Sequence, residues 1–162
     1  MTKKITFCSM MSALGILCLL LSNIVQTNTI FLYLFSTLFI YICTEEYGIK
    51  YGLVTYAAVS LAGFMIVADK LSIISYIIIV GYYPVVKHII DHINTNKILK
   101  WALKLVFALG ISTAALFILK SLMPENLNLM FLYPAGIAVF VIYDIMLNVG
   151  IKFYVLKLRK FK

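Results

Sequence analysis

The sequence predicts an all-α fold, a polytopic membrane protein with a six-helix transmembrane bundle and both termini cytoplasmic. Three observations carry this. Hydrophobic residues make up 64% of the chain against 12% charged, with a mean hydropathy of +1.04, well beyond the composition of soluble domains. The apolar residues gather in runs long enough for helices to cross about 30 Å of hydrocarbon. The basic residues then segregate to one side of the spans so defined. At 162 residues the chain has room for one compact transmembrane domain, residues 1–162, and no separate soluble one.

The first span, about residues 5–25, follows Lys3 and Lys4. Its apolar run is too long for a secretory signal and lacks a small-x-small cleavage pattern, so it reads as an uncleaved helix. Ser9 and Ala13 stand four apart on one face, small residues that let another helix approach closely. Asn23, Gln26, Thr27 and Asn28 form the first polar turn. The second span, about 29–44, is aromatic, with Phe31, Tyr33, Phe35, Phe39 and Tyr41, and Glu45-Glu46 close it. The third, about 51–68, carries Gly52, Thr55, Ala58, Ala62 and Gly63, a set suited to tight helix packing.

Asp69-Lys70 turn the chain into the fourth span, about 71–87. Sixteen uncharged residues, Leu71 to Val86, precede Lys87-His88. Tyr76, Val80, Tyr83 and Lys87 recur at helical spacing and make one polar, aromatic face. Pro84 removes the amide bond back to Val80, and with Gly81 in the same turn the backbone is expected to bend or open there. The segment DHINTNK reads as a loop. The fifth span, about 98–122, begins with Lys100, Trp101 and Lys104, expected to anchor it at the interface with the lysines reaching headgroups. The sixth, about 129–151, ends in a basic tail.

Six spans place both termini on one side. Lys3, Lys4, Lys50, Lys87, Lys97, Lys100, Lys104, Lys152, Lys157, Arg159, Lys160 and Lys162 fall there, twelve basic residues against Lys70 and Lys120 opposite. The positive-inside rule makes that side cytoplasmic, in the plasma membrane. The net charge of +8 lies beside apolar spans, which favours anionic lipid headgroups as partners and excludes a nucleic-acid surface. Cys8, Cys18 and Cys43 lack the paired spacing of a disulfide framework or a metal site and read as small core residues.

Asp144 is the one carboxylate well inside a span, with Asn148 and Lys152 following at four-residue steps. Its depth matches Tyr83 and Lys87, which points to an inner structural clamp of Tyr83, Lys87, Asp144 and Asn148; an ion relay and a contact surface for a partner protein are the competing roles. His88 and His92 are four apart, a spacing that can ligate zinc on a helix, but no HExxH motif accompanies them, and no metal or cofactor is expected. Nucleotide-binding and nucleophile motifs are absent from the sequence, so the chain reads as a non-enzyme. Toward the outer side Asn23, Gln26, Asn28, Ser75, Tyr76, Lys120, Asn128 and Tyr133 mix aromatic and hydrogen-bonding groups that could line a small-molecule pocket or equally be loop residues and an aromatic belt.

Six short spans, a first helix beginning KKITFCSMMSALGIL and a third helix rich in small residues resemble the substrate-binding S components of energy-coupling factor transporters. In that family an alanine-x-x-x-alanine motif on the first helix docks on a coupling subunit. Ser9 and Ala13 occupy the matching positions here, with serine in place of the first alanine. The resemblance implies capture of a vitamin or similar micronutrient from outside, with a transmembrane coupling subunit and ATPase subunits acting in trans. The stretch YGLVTYAAVSLAGFMIVADKLSIISYIIIVGYYP is also similar to the rod-shape-determining membrane protein of the MreD kind, which implies a scaffold for wall synthesis with no ligand.

Overall fold

The computed structural model describes residues 2–25, 28–93, 96–122 and 129–158, with side chains for all of these except 97, 108, 111–112, 114–122, 129–135 and 157–158. The first three spans are α1 (Thr2–Ile24), α2 (Thr29–Tyr47) and α3 (Ile49–Ile66). The fourth, Lys70–His92, is composite: α4 (Lys70–Ser75), a π-helical turn (Tyr76–Gly81) and α5 (Tyr83–His92). Then come α6 (Lys97–Leu122) and α7 (Leu129–Phe153), the latter running into a second π-helical stretch, Tyr154–Leu158.

The described residues are helical apart from short connections, with no strand among them. Among the described residues five helices are long and apolar enough to cross a membrane, the composite fourth span counting as one. The remaining long helix, α6, has 26 residues and no charge between Lys104 and Lys120. The distribution of polarity agrees with lipid as the surrounding solvent. Met65 and Ile98 point outward at 83% and 84% exposure, while Lys87, Asp144, Thr37, Thr44 and Thr55 are buried. Helices suit that environment because each satisfies its own backbone hydrogen bonds.

Helix α2 is the element around which the bundle assembles, packing on α1, α3, the π turn, α5 and α7. The ring of Phe7 lies 5.5 Å from Tyr47 and 6.4 Å from Tyr154. The start of α1, the end of α2 and the end of α7 therefore share one end of the bundle, the terminal end. At the distal end the Asn23 side chain donates to Ile66 O at 2.9 Å and accepts from Ala68 N at 3.2 Å. It thus satisfies backbone groups released where α3 stops.

Helix α2 runs past Glu45 and Glu46, and the reversal into α3 takes place at Gly48 alone, whose φ of 90° is reached without strain only by glycine. Helix α1 buries Cys8, Met11, Ser12, Gly15, Cys18, Leu19 and Ser22, a stripe at helical spacing. Ser36 Oγ donates to Gly15 O at 3.1 Å across the α1–α2 contact. Ser9 and Ala13 stand on the opposite face and are exposed.

The cysteines require a correction. Cys8 and Cys43 form a disulfide with Cα atoms 5.8 Å apart, joining α1 to α2 near the terminal end, and Cys18 is a free, buried thiol. The two are 35 residues apart in sequence, and their meeting depends on the antiparallel register of two helices, which spacing does not reveal. Alkylation of the denatured, unreduced protein is expected to modify one thiol, and three after reduction. Three modified thiols before reduction would rule out the bridge.

Candidate functional site

The local backbone of the fourth span explains where its side chains point. Pro84 has no N–H to donate to Val80 O, the bond an uninterrupted helix would make. The chain widens into the π turn just before it, and two tyrosines take up exposed carbonyls. Tyr56 on α3 donates to Ile77 O at 3.1 Å. The Tyr143 hydroxyl on α7 is shared between Val80 O at 3.2 Å and Thr37 Oγ1 at 2.7 Å. Gly81 permits this arrangement because a Cβ there would stand 2.8 Å from the Tyr56 ring. The opening expected from Gly81 and Pro84 is thus a defined turn braced from two neighbouring helices.

Beyond the turn, α5 directs Tyr83 and Lys87 toward α7. Tyr83 Oη donates to Asp144 Oδ1 at 2.6 Å, and Lys87 Nζ bonds the same oxygen and reaches Asp144 O at 3.3 Å. Asn148 Nδ2 donates to Asp144 Oδ2 at 3.2 Å. Tyr83, Lys87, Asp144 and Asn148 therefore meet in one hydrogen-bonded group. Lys87 is 0% and Asp144 2% exposed, so each charge depends on the other for compensation. The Lys87 ammonium also lies over the Tyr41 ring, 5.8 Å from its centre.

Lys104 joins this group, which corrects its reading as a lysine that reaches for headgroups. It is buried, lies 2.8 Å from Asp91 Oδ1 and stands 3.6 Å from Asp144 Oδ1. Its neighbour Lys100 donates to Asp91 O at 2.6 Å. The reason is that α6 packs on both α5 and α7, so its basic face meets carboxylates before it meets lipid. Trp101, half exposed, keeps an outward position. The core of the site balances two lysines, Lys87 and Lys104, against two carboxylates, Asp91 and Asp144. A crevice of about 10 Å³ adjoins it, lined by Trp101, Lys104, Leu105, Phe140, Val141 and Asp144, room for about one water molecule.

The residues expected to line an outer pocket occupy varied surroundings. Asn23 is engaged with backbone on both sides of its amide. Tyr76 is buried, with its hydroxyl 3.2 Å from Ser36 Oγ and its ring 5.3 Å from Tyr33. Ser75 is exposed and donates to Leu71 O at 2.9 Å, one turn back. Asn28 is exposed and makes no side-chain cap at the start of α2. Gln26 and Asn128 lie outside the described residues, and the side chains of Lys120 and Tyr133 lie outside those described. In the nearby turn Asp69 caps α4 by accepting from Leu71 N at 3.1 Å and from the Ser72 hydroxyl. The Ser72 hydrogen bond holds that carboxyl below the usual carboxylate range.

One grouping was hidden from the sequence. Glu45 at the end of α2 meets His88 and His92 on α5, with Glu45 Oε1 3.0 Å from His88 Nδ1. The histidine spacing was legible, but the carboxylate comes from another helix 43 residues away.

No protein-family model, curated protein or solved structure matches this chain.

Proposed function

We propose that this chain is the membrane-embedded substrate-capture subunit of an energy-coupling-factor-type uptake transporter. Its termini would face the cytoplasm, it would take a vitamin or similar micronutrient from the outer side, and it would dock through α1 on a coupling subunit worked by ATPase subunits. One observation carries the reading: the small residues Ser9 and Ala13 face outward, while α1 packs against its own bundle through Ser12, Gly15 and Leu19 on the other side. A close-approach surface is thereby left for a helix from another protein. The segregation of basic residues to the terminal end supports the orientation.

A scaffold of the MreD kind is the second reading, favoured by the engagement of Asn23 and Tyr76 in internal hydrogen bonds. Native mass spectrometry of gently purified protein separates the two. A capture subunit is expected to carry a retained small molecule and to appear with coupling and ATPase subunits. Recovery with cell-wall machinery and no small ligand would establish the scaffold instead, and recovery with neither set of partners and no ligand would overturn the transport reading.

A further inference from the structure

We propose that Glu45, His88 and His92 bind a divalent cation of the zinc class at the terminal end of the bundle, stapling α2 to α5. The three side chains each offer one donor atom, and these atoms lie within 4.8 Å of one another. Two imidazoles and a carboxylate form a donor set that zinc-class ions accept, with a remaining position open to water.

The hydrogen bonds already fix part of the chemistry. His92 Nδ1 lies 2.9 Å from His88 O. A carbonyl can only accept, so Nδ1 carries the hydrogen, and in neutral His92 the lone pair is on Nε2. Metal-binding histidines are commonly oriented in this way, by donating the other ring nitrogen to a carbonyl or carboxylate. The rings of His88 and His92 lie 4.0 Å apart and tilted by 35° on one face of α5, which brings both within reach of one ion together with Glu45.

The nearby charges leave the site available. Lys87, next to His88 in sequence, turns inward to Asp144, and Asp91 is held by Lys104. His92 is exposed and Glu45 and His88 are partly exposed, giving an ion a path in and the side chains room to adjust. Tetrahedral zinc with bonds of about 2.1 Å places donor atoms about 3.4 Å apart, so a pair at the 4.8 Å limit needs to close by about 1.4 Å.

The site is independent of the transport reading, and its test uses the full chain without a metal-binding tag, in detergent, after chelator treatment. Zn²⁺ is the probe, with binding measured by calorimetry and by metal content after gel filtration. One ion per chain is expected, with a rise in melting temperature and no comparable effect of Mg²⁺. H92A and E45Q should each weaken binding at least tenfold, whereas C18S should leave it unchanged. If E45Q impairs folding, H92A decides, since His92 is exposed. Failure to retain zinc, binding by H92A equal to that of the parent chain, or loss of binding in C18S would overturn the proposal.

Discussion

Asp144→Ala is expected to lower stability by about 3–5 kcal/mol, the scale for removing one partner of a buried ion pair, measured by reversible unfolding in mixed micelles. Lys87 is fully buried and would lose its carboxylate; Tyr83 and Asn148 would lose an acceptor as well. Lys104 would fare better because Asp91 remains 2.8 Å away. The same reasoning gives a second expectation. Combining Asp144→Leu with Lys87→Met removes both charges together, so the double variant should be more stable than Asp144→Ala, since an apolar pair can replace a buried ion pair at little cost. A loss below about 1 kcal/mol for Asp144→Ala, within the range of a surface pair, would show that the clamp does not hold α5 to α7. Asp144→Asn separates the structural role from ion coupling. Retained transport in a stable Asp144→Asn protein would exclude a proton or ion relay through this carboxylate.

Gly52→Ala is expected to destabilise the bundle by about 1–3 kcal/mol, the usual cost of overpacking. A Cβ at position 52 would stand 2.1 Å from Thr44 Oγ1 and 2.9 Å from Thr44 Cβ. Thr44 cannot readily yield, because it is fully buried and its hydroxyl donates to Ile40 O at 2.7 Å. Helix α2 would have to shift, and α1, α3, α5 and α7 all pack on it. Adding Thr44→Ala removes the 2.1 Å contact but retains the one at 2.9 Å, so a double-mutant cycle should show partial recovery. Simple additivity of the two substitutions, or a stability equal to that of the parent chain for Gly52→Ala, would contradict the close approach of α2 and α3.

Much of the architecture was legible from residue patterns. Lipid requires long apolar segments with internally satisfied backbone, so the spans are visible as runs, and Pro84 with Gly81 marked the opening in the fourth. Tyr83, Lys87, Asp144 and Asn148 could be grouped because polar residues at matching depth in neighbouring spans have few other ways to satisfy their charges and hydrogen bonds. The same argument failed for Lys104. Counting depth along α6 located its level but not its direction, and only packing against α5 and α7 turned it inward toward Asp91 and Asp144. Likewise, small residues on α1 announced a close contact, while the structure divided them between an inward face with Ser12 and Gly15 and an outward face with Ser9 and Ala13.

The sequence by itself determined an all-α, multi-pass protein, because composition and run length are properties of single segments and follow from transfer into hydrocarbon. Beyond the clamp between α5 and α7, tertiary structure decided which segments touch. The Cys8–Cys43 bridge, the Tyr143 hydroxyl at the Val80 carbonyl, the Lys104 contacts and the meeting of Glu45 with His88 and His92 all join different helices. Their formation depends on the rotation and register of one helix against another. Those quantities are set by the fit of side chains such as Gly52 against Thr44, and no periodicity within one helix records them.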